Sequence, residues 1–423
     1  MKTFTAILIA LTGLSAALSA AAQPLATNLT PESAVMTALA DNRDLAAARF
    51  AIRQGEGRLK QAGLWPNPEF ELSRQNDHAF ANEGEYNFST GFKQRFPITG
   101  RLTKAKAVAR VDVAQAMAEV RNQERQLAGE VLGRSRELLV AQEKLKANEE
   151  IQSVIQKVIE VSEKRLKVAE VSAADVNVAK LELQRVTLAQ AALLNQQETT
   201  STALNRLLGR EPKTPLQISG AVSAEFDTNM VAEISWQILA RRPDRQLTAL
   251  GIDRAGAEIK LARAQKWEDW TVGFGYSRDV QKFNAPIGNK ADNFLGVGVS
   301  IPLPLWNKNQ GRLSEAQATQ ERAEAELKAL DLRIATEAQT AENQMRRLLG
   351  ILRQYREESV KLAEENITLL QKGYADGLVS ITAVIQAQQQ LTGLRQAYLE
   401  ALGDFIRAKT EWETATGVVL PMK

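Results

Sequence analysis

Cysteine is missing from all 423 residues. Its absence excludes a disulfide framework, a thiolate metal site and a lipidated N-terminal cysteine. Histidine is nearly absent as well: His78 is the only one, and the 6 methionines are scattered. Soft and borderline metals need clustered Cys, His or Met ligands, so no tight metal site is expected. His78 lies in the polar stretch Asn76-Asp77-His78 between two candidate strands and reads as a loop residue. No nucleophile–histidine pairing is available elsewhere. Gly296 and Gly298 fall inside an alternating strand with no lysine at phosphate-loop spacing. The carboxylates are spread along helix faces. Neither an enzyme nor a cofactor is expected.

Charge of one sign is lacking too. The 53 basic and 50 acidic residues nearly cancel, leaving +3. No basic block suggests nucleic acid, and mixed charge at this density marks solvated helix faces. Long apolar runs are limited to Phe4–Leu18, which follows Lys2 and precedes Ala20-Ala21-Ala22. A basic start, a short apolar stretch and a small-residue site describe a cleaved export signal over residues 1–22. The run is short for a membrane-spanning helix, which needs roughly 20 apolar residues, although an uncleaved anchor is the alternative. A β-barrel remains open to the rest of the chain, because its strands need only about 9–11 alternating residues.

Proline is sparse and unevenly placed. None lies between Ile98 and Glu211 or between Leu305 and Leu420. Proline inside a helix costs about 3 kcal/mol, so these runs permit very long helices, and both are rich in Ala, Leu, Glu, Gln, Lys and Arg. The first carries the stripe Ile151, Val154, Ile155, Val158, Val161. The second carries Leu330, Ile334, Ala338, Ala341, Met345, Leu348, Leu352, Tyr355. Narrow apolar seams with charged flanks are the coiled-coil pattern.

The chain also repeats itself. A shift of about 200 residues lays Ala40, Asp44, Ile52, Lys60 and Ala62 on Ala240, Asp244, Ile252, Lys260 and Ala262. Phe96-Pro97-Ile98 followed by Gly100-Arg101-Leu102 meets Ile301-Pro302-Leu303 followed by Gly311-Arg312-Leu313. Val171-Ser172 and Val176 meet Val379-Ser380 and Val384, and Gly209 meets Gly417. The order divides the chain into a first repeat at 30–210, a linker at 211–231 and a second repeat at 232–417. The first is predicted to hold a helix over about Ala40–Leu64, a strand pair at 66–98, a long helix at 101–168 and a helix at 172–208. The second is predicted to hold a helix over about Ala240–Gln265, a strand pair at 267–303, a long helix at 312–374 and a helix at 380–416. Arg101–Val168 is about 100 Å at roughly 1.5 Å per residue, matched by the two shorter helices end to end. Such an object reads as a tube wall.

The strand segments alternate with period two. Phe70 and Leu72, then Tyr86, Phe88, Thr90, Phe92, Gln94 and Phe96, alternate with polar residues. Trp270, Val272, Phe274 and Tyr276, then Leu295, Val297, Val299 and Ile301, alternate with small ones. One apolar face and one polar or small face fit a membrane barrel with Phe88, Phe92, Val297 and Val299 toward lipid. Trp65, Trp267, Tyr86 and Tyr276 resemble interfacial girdles. Four strands per chain are too few to close a barrel, and open edges cannot face lipid, so chains must assemble. Three would give twelve strands; two or four would also close a ring.

Over essentially the whole exported chain these features resemble the TolC family of outer-membrane efflux factors. They are the duplication, Phe96-Pro97-Ile98-x-Gly100, its echo Ile301-Pro302-Leu303, and the turn Asp376-Gly377-Leu378-Val379-Ser380-Ile381-Thr382. Val299-Ser300-Ile301-Pro302-Leu303-Pro304-Leu305-Trp306-Asn307 looks most like the cobalt–zinc–cadmium (CzcC-type) branch. The resemblance implies a mainly α fold with a small β part, in which long coiled-coil helices form a periplasmic α-barrel. It implies a homotrimer with a twelve-stranded β-barrel in outer-membrane lipid, served by a periplasmic adaptor and an inner-membrane RND-type pump. It places the interhelical turns Val168–Ala174 and Gly373–Ile381 at the periplasmic tip. Glu170, Val171, Ser172, Asp376, Gly377, Leu378, Val379 and Ser380 would meet the adaptor there. Asp175, with Glu170 nearby, takes the position of the family's aperture aspartates, while the second copy departs with Ala383 and Gln386. A helix cap is the plainer role for Asp175. Passive efflux, with divalent heavy-metal cations as cargo, is the expected function. The alternatives are the same duct in drug efflux or type I secretion, and a periplasmic or surface coiled-coil protein without a pore.

Overall fold

In a computed structural model of the chain, the structure describes residues 27–79, 83–220, 240–283 and 288–417. The expected export signal at 1–22 and the start of the second repeat at 232–239 lie outside them.

The first half runs β1 (Thr27–Leu29), α1 (Pro31–Asp41), α2 (Arg43–Ala62), β2 (Glu69–Asn76), β3 (Tyr86–Phe96), α3 (Arg101–Lys167) and α4 (Ala173–Leu207). The helix expected over Ala40–Leu64 corresponds to α2, and a separate α1 precedes it. Asn42 makes the break: extended at φ −62°, ψ 123°, it accepts the Leu45 N–H at 2.7 Å as the N-cap of α2. The expected linker is also more than a connector. Its segment β4 (Leu216–Ile218) pairs in parallel with β1. With α1 this small sheet covers α3 and α4, burying Ala34, Val35 and Ala38 against Ala128, Val131, Leu138 and Leu204.

The second half runs α5 (Pro243–Ala264), β5 (Trp270–Phe283), β6 (Gly288–Ser300), α6 (Gln310–Gln354), a π-helical turn at Tyr355–Ser359, α7 (Val360–Ala375) and α8 (Ile381–Thr416). The long helix expected over 312–374 is thus a continuous run interrupted by one π turn. Arg101 to Val171 spans three residues more than Arg312 to Val379. A π turn takes up close to one residue without added rotation. The second run is then one whole turn shorter, and its seam stays in phase. Ile334 and Met345 are fully buried on that seam. In α3 the seam passes through Ile151, Ile155 and Ile159, and Val161 is left exposed.

Helix order follows from these seams. α3 packs on α2 and α4 along one side and on α5 and α8 along the other; α6 packs on α5 and α8, and α7 on α8. Among the described residues the result is a ribbon of long helices, with α2 and α4 at one edge and α6 and α7 at the other. End-to-end stacking of the shorter helices is fastened by equivalent side chains in the two halves. The Asn42 side-chain amide donates to the Leu207 carbonyl at 2.9 Å. At the matching position, Arg242 donates to the Ala415 carbonyl at 2.8 Å and grips Asp244 at 3.0 and 2.6 Å. Arg125 adds a bond to the Thr414 carbonyl at 2.9 Å. Burial pushes the Asp244 carboxyl up, but hydrogen bonds from Arg242 and the charges of Arg242 and Arg125 outweigh it and hold the group below the usual carboxylate range.

The other four strands form one antiparallel sheet in the order β2-β3-β5-β6, so β3 and β5 join the two halves. The pairs begin and end inside the expected segments. Among the described residues, the outer strands β2 and β6 each keep an unpaired edge.

Candidate functional site

Register turns the period-two pattern into two chemically distinct sheet faces. On one, Phe70, Phe92, Phe274 and Val297 form a row across the four strands, and Leu72, Thr90, Tyr276 and Leu295 form the next. All but Thr90 are exposed large hydrophobics, Val297 at 74%. Val299 follows in the row of Gln94 and Val272. The opposite face carries Glu71, Gly91, Gly275 and Gly296 in one row, then Glu69, Lys93, Gly273 and Gly298. Ion pairs Lys93–Glu71 (2.6 Å) and Arg95–Glu69 (2.7 Å) lie across it. Phe88 shares the apolar face but sits between Arg74 and Arg278, with Asn293 beyond. Its row is where charged residues interrupt the apolar face, with Tyr86, Val280 and Ala291 in the row beyond. Tyr276 is a mid-strand residue, not a strand-end one, and its hydroxyl bonds Asn293 at 2.7 Å.

At the other extreme of the molecule, the two tip turns have one design. Glu170 N–H donates to the Arg165 carbonyl at 3.0 Å, and Leu378 N–H to that of Gly373 at 2.8 Å. This six-residue closure needs a left-handed residue, supplied by Ala169 (φ 59°) in one copy and Gly377 (φ 73°) in the other. Left-handed geometry costs a residue with a Cβ roughly 1–2 kcal/mol, partly offset when glycine replaces it by the greater freedom of the unfolded chain. Ala169→Gly should therefore stabilise the first turn by up to about 1 kcal/mol, read as slower hydrogen exchange at the Glu170 amide. Faster exchange would show that Ala169 bears no strain.

Both turns then start a helix with serine. Ser380 accepts the Ala383 N–H at 3.3 Å. Ser172 accepts the Asp175 N–H at 3.2 Å, while its own hydroxyl and N–H donate back to the Asp175 carboxylate at 2.7 and 3.2 Å. Those bonds, the hydroxyl's foremost, hold Asp175 below the usual carboxylate range. Its second oxygen accepts from Thr382 at 3.2 Å, tying the start of α4 to the start of α8. Asp175 is thus a capping residue and a strut between helix pairs. Glu170 is 61% exposed and lies 3.7 Å from Arg165. Val171 and Val379 are half-buried under the turns, whereas Leu378 is 82% exposed.

Sequence reasoning missed Arg165. Its guanidinium stacks 4.1 Å over the Tyr374 ring and donates to the Tyr374 carbonyl at 3.0 Å, joining the ends of α3 and α7. The partners are some 200 residues apart, and nothing local in the chain announces the pairing. The ribbon's free edges carry apolar residues as well. Leu181 and Leu188 on α4 are 64% and 73% exposed; Leu362 and Leu369 on α7 are 69% and 68%. Each pair is one heptad apart.

No helix among the described residues is long and apolar enough to cross a membrane. Among them, no group of three or more His, Asp or Glu side chains is placed to hold a metal ion.

Long helical ribbon, four-stranded sheet with one apolar face, and duplicated turns together define a channel wall of the TolC type. The chain belongs to the outer membrane efflux protein family, whose model matches residues 34–210 and 235–418. It is 24% identical over 393 residues to the cobalt-zinc-cadmium resistance protein CzcC of Cupriavidus metallidurans, covering 92% of this chain and 90% of that one. It is 26% identical over 380 residues to the pyoverdine export outer membrane protein OpmQ of Pseudomonas putida, covering 83% and 78%. Among solved structures, CusC, described for folding and transmembrane channel formation, superposes with a TM-score of 0.76 at 19% identity over 92% of both chains. The protein is a passive outer-membrane efflux channel and not an enzyme. A pore-free coiled-coil protein is set aside.

Proposed function

We propose that three copies close into a homotrimeric duct that conducts divalent heavy-metal cations from an inner-membrane RND-type pump, through a periplasmic adaptor, to the outside. The observation that carries this reading is the pair of open edges on each layer. β2 and β6 leave unpaired backbone groups that cost several kcal/mol each in lipid, so β6 must pair with β2 of the next copy. The heptad leucines of α4 and α7 offer the matching helical seam. Twelve strands then form a barrel with Phe92, Val297 and Val299 outward and the glycine and ion-pair rows lining the lumen. The cargo rests on the relative named for cobalt, zinc and cadmium resistance, and the pyoverdine exporter supplies the rival, a small-molecule cargo.

At the tip, Leu378 and its neighbours Glu170, Val171, Ser172, Asp376, Gly377, Val379 and Ser380 form the adaptor contact. Leu378→Asp should abolish export while trimers persist; normal export would remove the docking role. Asp175 and Glu170, recurring three times, would make the aperture acidic. Glu170 is the freer of the two, because both Asp175 oxygens are engaged.

Single-channel conductance of the detergent-purified protein, beside its oligomeric mass, tests the duct. Discrete steps from a trimer are expected, and a silent monomer would overturn it. Restored zinc, cobalt and cadmium tolerance in a strain lacking its own duct would support the cargo; restored siderophore export alone would replace it.

A further inference from the structure

The two copies differ where the sheet hands over to the long helix. Pro97 is followed closely by Gly100 and Arg101, whereas Pro302 is separated from Gly311 and Arg312 by Leu303–Gln310. The insertion is six residues longer than its counterpart, and it is not a polar loop. Leu295, Val297, Val299, Ile301, Leu303 and Leu305 form one uninterrupted odd-numbered series, at 71%, 74%, 59%, 43%, 64% and 61% exposure. The apolar face of β6 thus runs on well past the last strand residue, Ser300. Pro302 and Pro304, both half-buried, remove N–H groups a fifth ladder partner would need, and the Leu305 N–H turns back onto the Leu303 carbonyl at 2.9 Å. Trp306 ends the series at 87% exposure.

Behind the tryptophan the chain is pinned. Asn307 accepts the Asn309 N–H at 3.0 Å, Gln310 accepts the Lys308 N–H at 2.7 Å, and the Asn309 side chain donates to the Ala262 carbonyl at 2.8 Å. A fixed base therefore presents Leu303, Leu305 and Trp306 to the surroundings at the level where sheet meets helices. Exposed Lys308 follows the tryptophan by two residues. An exposed apolar edge, a terminal indole and an adjoining lysine match the boundary between acyl chains and phosphate headgroups, where tryptophan is enriched and long basic side chains reach the headgroups.

We propose that the Ile301–Trp306 segment is a membrane-interface anchor, inserted among the lipids of the inner, periplasmic leaflet of the outer membrane. It fixes the height of the duct in the bilayer, and it is a property of the second copy alone, so a trimer carries three. The proposal rests on reading the sheet as a barrel wall, and its test separates the two. Because the chain has no cysteine, Trp306→Cys, Val297→Cys and Leu378→Cys each give one labelling position for an environment-sensitive fluorophore. The full-length variants are reconstituted in phosphatidylethanolamine–phosphatidylglycerol vesicles bearing nitroxides at the headgroup or deep in the acyl chain.

The label at 306 should lose most of its emission to the headgroup nitroxide and little to aqueous iodide. The label at 297 should be quenched by the deep nitroxide, and the one at 378 only by iodide. A 306 label quenched by iodide and indifferent to both lipids overturns the anchor. One shielded from lipid and iodide alike also overturns it, in favour of burial under the next copy. A 297 label that escapes the deep nitroxide overturns the barrel reading, whereas the 306 label decides the anchor in either case.

Discussion

Lysine at Val297 should prevent the protein from assembling in the outer membrane. The residue is at the centre of the apolar band, in the row of Phe70, Phe92 and Phe274. A lysine on the lipid face near mid-bilayer costs roughly 2–4 kcal/mol, and the proposed trimer incurs it three times. The described strand residues that share this face include no acidic side chain to pair with the charge. Phe92→Lys, in the same row, should behave alike. Phe88→Lys should be tolerated far better, because Arg74 and Arg278 already occupy its row and charges near the interface cost only about 0–1 kcal/mol. Trimer yield in the outer-membrane fraction measures all three. Equal insertion of the Val297 and Phe88 variants would mean that the sheet faces water on both sides.

That contrast also shows how far the sequence could be read. Alternation assigned Phe88 and Val297 to one face, because side-chain direction along a strand is a local property with period two. It said nothing of their depth. Depth depends on register, and only the pairing shows that Phe88 shares its row with Arg74 and Arg278. The long helices were equally legible, since proline-free runs with three-and-four spacing allow little else. Their interruptions were not. Asn42 ends α1, caps α2 by accepting the Leu45 N–H, and donates its amide to a carbonyl on α4. The π turn at Tyr355–Ser359 answers a length difference that shows only when the two copies are compared. Within the tips, Ser172, Gly377 and Ser380 announce caps and a left-handed turn by residue type. Ala169 does not, because alanine carries no signal for positive φ. The links Asp175–Thr382 and Arg165–Tyr374 join elements remote in the chain, so they appear only once the helices are packed.

A large single-residue stability effect is expected at the joint between α8 and α5. Arg242 is 4% exposed and holds Asp244, Glu337 and the Ala415 carbonyl, with Arg125, 6% exposed, at 3.6 Å from the same aspartate. Removing one member of a buried ion cluster strands its partners, at a cost of roughly 3–5 kcal/mol. Arg242→Ala should lower stability by that amount. Asn42→Ala, at the matching position, removes a neutral cap and one hydrogen bond and should cost about 1–2 kcal/mol. Denaturant midpoints of the two variants give the comparison.

Acid separates charge from packing at this joint. Asp244 is depressed in the folded chain, so its contribution is present above its unfolded value of about 3.9 and is lost as pH falls through the lower folded value. The Arg242→Ala penalty should therefore be full at neutral pH and shrink below about pH 4. The Asn42→Ala penalty should stay constant over the same range. If the Arg242 penalty is also constant, the arginine acts through its packing and its bond to the Ala415 carbonyl. In that case the two copies fasten their helix stacks by the same neutral contact, and the ion cluster contributes little to the joint.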